Sequence, residues 1–236
     1  MDMKENYVQV PVSDGSLLDA YTSFPEKGKG PFPGILLFQE AFGVNHHIRS
    51  IADRLAAEGY VVIAPELFHR SAPGFEGSYL DFPAVMPHMQ ALTPDGQEAD
   101  ILASYQWLQN HPALNKDKTG AIGFCMGGRV AMVANSLLPL SASVSYYAGN
   151  SASILHQVSG FHGTQLMFWG GLDKHIPSEQ IAALVNVLKE NGKAYINAEI
   201  SYADHGFNCD ERASYQPRAA REAWAMTLAF FMNNLF

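Results

Sequence analysis

The 236-residue sequence predicts an α/β fold, a mostly parallel twisted sheet with helices on both faces. Short continuous apolar runs alternate with segments of helical periodicity, and Gly and Pro punctuate the joints between them. The runs also lack the in–out alternation of a sheet with one wet face, which suits strands covered on both sides.

Taken in order, residues 7–12 and 17–23 flank Asp14-Gly15 and read as an antiparallel hairpin. Past the polar stretch 26–30, residues 34–38 form an apolar strand. Asn45 suits the N-cap of a helix reaching about 58, with Ile48, Ile51, Ala52, Leu55 and Ala56 at helical spacing. Gly59 stops it, and 60–64 is the next strand. A helix over about 94–111, a strand at 119–124, a helix at 126–137 and a strand at 142–147 follow. The pattern closes with a strand at 165–169, a helix at 178–190, a strand at 194–200 and a helix from about 217. No internal repeat or linker-like block interrupts it, so a single domain is expected over 1–236.

Residues from about 71 to 93 break the alternation with an irregular segment. Pro73, Gly74, Gly77, Pro83 and Pro87 are interspersed with Phe75, Tyr79, Phe82, Met86 and Met89. Either a surface excursion packs its aromatics back on the body, or the segment is a lid or pocket wall.

Composition removes several classes of partner. The chain has 15 basic and 23 acidic residues, a net charge of −8, and no basic run, which argues against nucleic acid and anionic membranes. Two cysteines are too few for a disulfide scaffold and suit a reducing compartment. The first residues show neither a basic n-region nor an apolar h-region, and the apolar stretches are short of a membrane span. A soluble, cytoplasmic protein is expected, as a monomer or weak homodimer.

Gly123-Phe-Cys125-Met-Gly127-Gly128 follows an apolar strand and precedes a helix. This is the G-x-nucleophile-x-G elbow with cysteine in the serine position. The nucleophile needs a strained turn, and the flanking positions need glycine because a side chain would meet the neighbouring backbone. The turn puts Cys125 at the positive end of a helix and presents the Met126 N–H as an oxyanion donor. In α/β-hydrolases the order is nucleophile, acid, histidine. Here Asp173 follows one strand and His205 the last, 48 residues beyond Cys125 and a further 32 on. Both fall at the carboxyl edge of the sheet, where α/β ligands bind. His205 would relay the proton, and Asp173 would fix its tautomer. Asp204 adjoins His205 and is a poor orienting acid. The remaining histidines are scattered with no H-x-x-x-H or Cys/His cluster, so neither a metal nor another cofactor is expected.

Beyond the elbow, the sequence resembles the dienelactone hydrolases (carboxymethylenebutenolidases) over nearly its whole length. Gln39-Glu40-Ala41-Phe42-Gly43-Val44-Asn45 is similar to the family's Q-E-x-F-G-V-N block, and residues 65–70, 123–128, 171–177 and 204–207 match further blocks in order. The resemblance implies a catalytic triad of Cys125, Asp173 and His205. It implies that Glu40 interacts with the resting thiol and helps it ionise, and that Ala41 supplies the second oxyanion N–H. It places Phe42, Tyr147 and His175 at pocket-lining positions. Without the motif, Glu40 would read as a surface carboxylate at a helix start.

The departures bear on substrate. Family enzymes that act on dienelactone hold its carboxylate with two arginines. One would lie where this chain has Cys209, and the other in the stretch after residue 70, yet 71–128 contains no arginine. A neutral ester or lactone is expected in place of dienelactone itself. Thiolate is also a good leaving group, so Cys125 would be expelled again unless the substrate's own leaving group is good. Activated esters and enol lactones fit that condition, through a covalent acyl-enzyme. The rivals are a general carboxylesterase or thioesterase with phosphotriester side activity, and a thiol redox sensor using Cys125 and Cys209.

Overall fold

The computed structural model describes residues 6–236, so the leaderless reading of the N-terminus rests largely on residues outside it. The chain forms two compact units, Met1–Thr119 and Gly120–Phe236.

In the first unit, β1 (Tyr7–Pro11) pairs antiparallel with β2 (Leu17–Ser23), in register Tyr7↔Tyr21 to Pro11↔Leu17. The Asp14 carboxylate accepts the Ser16 N–H at 3.0 Å and closes the turn. Strand β2 continues antiparallel to β4 (Val61–Pro65), and β4 runs parallel to β3 (Phe32–Phe38). All five residues of β4 and six of seven in β3 are buried, as continuous apolar runs require of parallel strands. Helix α1 (His46–Ala57) starts where expected: the Asn45 side chain accepts the Ile48 N–H at 3.2 Å, and Ile48, Ile51, Ala52 and Leu55 are buried.

The segment expected to be irregular contains a ten-residue helix, α2 (Phe82–Ala91). The Asp81 side chain caps it by accepting the Ala84 N–H at 3.3 Å. Pro83 lies in its first turn, where a missing N–H costs no intrahelical bond, so the prolines read as breakers were partly helix-starting residues. Val85 packs with Ala41 and Phe42, and Phe75, Tyr79 and Met89 join them. Helix α3 (Pro94–Gln109) follows, capped by Thr93.

Strand β5 (Leu114–Phe124) carries the chain into the second unit and begins five residues earlier than expected. Its first half is polar and at least partly exposed from Asn115 to Lys118, so no apolar signal marks it. In the second unit β5, β6 (Ala142–Tyr146), β7 (Thr164–Gly170) and β8 (Tyr195–Ile200) pair in that order, all parallel. Between and after them come α4 (Met126–Leu137), a 3-10 helix at Ser151–Gly160, α5 (Ser178–Glu190) and α6 (Pro217–Leu235). Among the described residues no helix is long and apolar enough to cross a membrane.

Candidate active site

Three loops at the carboxyl ends of β5, β7 and β8 meet in the second unit. The first is the elbow. Cys125 has φ 54° and ψ −117°, a conformation an L-residue holds at a cost on the order of 1–3 kcal/mol. The surroundings enforce it: the Cys125 N–H donates to the Tyr146 carbonyl at 3.0 Å and the Gly128 N–H to the Cys125 carbonyl at 3.1 Å. A Cβ on Gly123 would collide with the Gly127 carbonyl, and one on Gly128 would lie 2.9 Å from the Tyr146 oxygen. Met126 opens α4, so its N–H is one of the four a helix leaves without an intrahelical acceptor.

The other two loops are stitched to each other. The Gly171 N–H donates to the Ile200 carbonyl and the Leu172 N–H to the Ala203 carbonyl, both at 2.9 Å. This approach requires glycine: a Cβ on Gly170 would lie 2.6 Å from the Ala203 oxygen, and one on Gly171 2.6 Å from the Ser201 Cα. The register delivers Asp173 to His205. The His205 Nδ1–H donates to Asp173 Oδ2 at 2.7 Å, and His205 Nε2 lies 3.2 Å from Cys125 Sγ. Asp173 Oδ1 accepts the His175 backbone N–H at 2.8 Å, which holds the carboxylate in place. Asp204 has a different part, accepting the His205 backbone N–H at 2.6 Å. The imidazole is flanked by the Tyr147 ring at 5.1 Å and the His175 ring at 5.6 Å.

Electrostatics couple the three groups. Burial pulls the His205 imidazole toward neutrality, but the bonds to the Asp173 carboxylate and the Cys125 sulfur outweigh it and raise its pKa to about 10. Burial pushes the Asp173 carboxyl up, and the hydrogen bond and charge of His205, with the His175 N–H, bring it below its ordinary value. The pair is therefore an imidazolium–carboxylate facing a sulfur.

In the first unit, Glu40, Ala41 and Phe42 follow β3 and are all buried. Glu40 is 0% exposed, so it is not a surface carboxylate. Its turn is pinned by Gln39, whose Oε1 accepts the Leu67 N–H at 3.0 Å. The segment after residue 70 is fastened to this turn: the Gly77 N–H donates to the Phe42 carbonyl at 3.0 Å, Asn45 Nδ2 to the Tyr79 hydroxyl at 2.8 Å, and the Phe42 and Tyr79 rings lie 4.5 Å apart. Arg49 Nη1 adds an ion pair to Glu76 at 2.6 Å.

Neither cysteine is in a disulfide; Cys209 is fully buried and Cys125 partly exposed. Two features escape sequence reasoning. The Gly170-Gly171 pair reads there only as part of a strand-end loop, and its steric duty depends on the partner loop. Arg129 follows the arginine-free stretch directly, yet its position four residues beyond Cys125 was a signal available from spacing.

Comparison with known proteins identifies the family. The model of the dienelactone hydrolase family matches residues 18–235. The chain belongs to the dienelactone hydrolase family. A Synechocystis sp. protein named a putative carboxymethylenebutenolidase is 34% identical, the match spanning 100% of this chain and 99% of the relative. An Escherichia coli protein of the same name is 32% identical over 95% of this chain and 85% of its own. The crystal structure of a putative dienelactone hydrolase from Klebsiella pneumoniae superposes with a TM-score of 0.85 at 29% identity, covering 96% of this chain and 97% of that one. The fold is that of the α/β-hydrolases, and the protein is a hydrolase of the family's ester and lactone class.

Proposed function

We propose that the protein hydrolyses activated esters or enol lactones through a thioester on Cys125. The observation that carries this reading is the relay Cys125–His205–Asp173, with contacts of 3.2 and 2.7 Å. His205 Nε2 holds the proton taken from the Cys125 sulfur, and the thiolate attacks the substrate carbonyl. The new C–S bond forms a tetrahedral oxyanion held by the Met126 N–H, with the Ala41 N–H as the second donor that the resemblance implies. The carbon–oxygen bond to the leaving group breaks and that oxygen takes the proton from His205; in a lactone it stays tethered. Water then attacks the thioester with His205 as base, the C–S bond breaks, and acid and free thiol are released. Asp173 keeps the imidazole oriented and stabilises its charged form. Glu40 helps the thiol ionise. Phe42, Tyr147 and His175 contribute to the substrate pocket.

The substrate is neutral, because the carboxylate-holding arginines are absent from both positions the resemblance marks. Its leaving group is an enol, phenol or comparable oxygen, since a plain alkoxide would lose the competition with thiolate. The enzyme works in the cytoplasm, where Cys125 stays reduced. Mixing with an activated ester and trapping at acid pH gives an acyl adduct on Cys125 by mass spectrometry. Full turnover by Cys125→Ala would exclude the mechanism.

A further inference from the structure

Arg129 is the charged residue of the elbow helix that the relay leaves without a part. After Met126 come Gly127 and Gly128, so Arg129 is the next side chain that α4 carries beyond the nucleophile, one turn on. It is partly buried, neither sunk in the core nor free in solvent. A cation is poorly placed there. The N-terminal turn of a helix is its positive end and favours anions, and α4 has no acidic residue in that turn. Burial pulls the guanidinium pKa down, and the charge of Cys125 opposes it. Among the described residues no carboxylate pairs with Arg129 and no hydrogen bond satisfies its donors, although guanidinium groups this buried are ordinarily paired.

We propose that Arg129 is a positioning residue of the elbow, the counter-charge that favours the ionised form of Cys125, one turn away on the same helix. It acts through the sulfur and does not touch the reacting carbon. The proton leaving Sγ still goes to His205 Nε2, and Arg129 neither gives nor takes one. Its effect is purely coulombic, the electropositive surrounding that makes a cysteine reactive. Within residues 120–236 the titratable groups near the thiol include His205, Asp173 behind it, His175 on the Asp173 loop, Asp204 on the His205 backbone and Tyr147 beside the imidazole. This inference rests on Cys125 being the reactive thiol of the proposed function, but its test needs no ester.

The test is the pH–rate profile of iodoacetamide alkylation at Cys125, located by peptide mass mapping, in the parent, Arg129→Gln and Arg129→Lys, with Cys125→Ala as blank. With Arg129→Gln the midpoint should rise by roughly one pH unit. The rate below both midpoints should then fall about tenfold, meeting the parent's at high pH. Arg129→Lys should recover most of that loss, which a merely structural role would not produce. Thermal melts identify folded variants, and Arg129→Met, which keeps an apolar stem without the charge, carries the same expectation if the Gln variant unfolds. Superimposed profiles for the parent and a neutral variant would overturn the proposal. So would an unchanged profile together with a raised KM for carboxylated substrates alone, which would assign the guanidinium to the substrate. Loss of ester turnover with normal alkylation would count against the proposed hydrolysis and leave the assignment of Arg129 standing.

Discussion

At Cys125 the strained backbone and the chemistry form one requirement: a positive φ of 54° lifts the side chain clear of both strand and helix. That sulfur is useful only with His205 beside it, and His205 is held charged by Asp173 behind it together with the sulfur in front. The coupling predicts a pH signature in stability. The folded-state pKa of His205, about 10, exceeds its ordinary 6.5, so the stabilisation it brings is full below about 6.5 and is lost as pH rises through about 10. Asp173 is shifted the other way, so its contribution is present above its ordinary 3.8 and is lost as pH falls through the lower folded value. Denaturant titrations of the parent and His205→Gln across this range should differ most between about pH 4 and 6.5 and converge toward pH 11. A constant difference across the range would show that the imidazole is held by packing alone.

At the scale of elements, the site depends on how closely loops can approach. Gly170→Ala places a Cβ 2.6 Å from the Ala203 carbonyl oxygen, and neither backbone can yield without separating the Asp173 and His205 loops. The variant should lose about 1–3 kcal/mol of stability and most of its kcat. Gly149→Ala, where a Cβ meets nothing within 4 Å, should stay close to the parent in both. Urea midpoints and steady-state kinetics on the two variants test this. The elbow, the parallel strands and α1 with its Asn45 cap were legible in the sequence because each has a local signal: glycine spacing, an unbroken apolar run, a capping amide. Helix α2 was not, because Pro83 and Pro87 look like breakers and the contacts that favour helix there, Val85 on Ala41 and Phe42, are distant in sequence. The first half of β5 was missed because its polar residues carry no apolar signal.

For the whole molecule, charge distribution bears most on what enters the site. The chain has a net charge of −8 and no arginine from residue 71 to 128, so the proposed substrate is neutral. In a panel of matched enol lactones, those carrying a free carboxylate should show a kcat/KM at least about tenfold below their methyl esters, the value of one lost charge-assisted contact. Equal values would overturn the proposal of a neutral substrate. By itself the sequence determined the fold class, the elbow and the chain order of nucleophile, acid and histidine, because strand periodicity and glycine spacing are local and survive in one dimension. Tertiary structure set the contact between Asp173 and His205, the acid the sequence already favoured over the adjacent Asp204. It also decided that Glu40 is buried, that the segment after residue 70 carries a helix, and that Arg129 has no carboxylate partner among the described residues. Hydrogen-bond partners and desolvation are set by segments distant in sequence, and no local pattern encodes them.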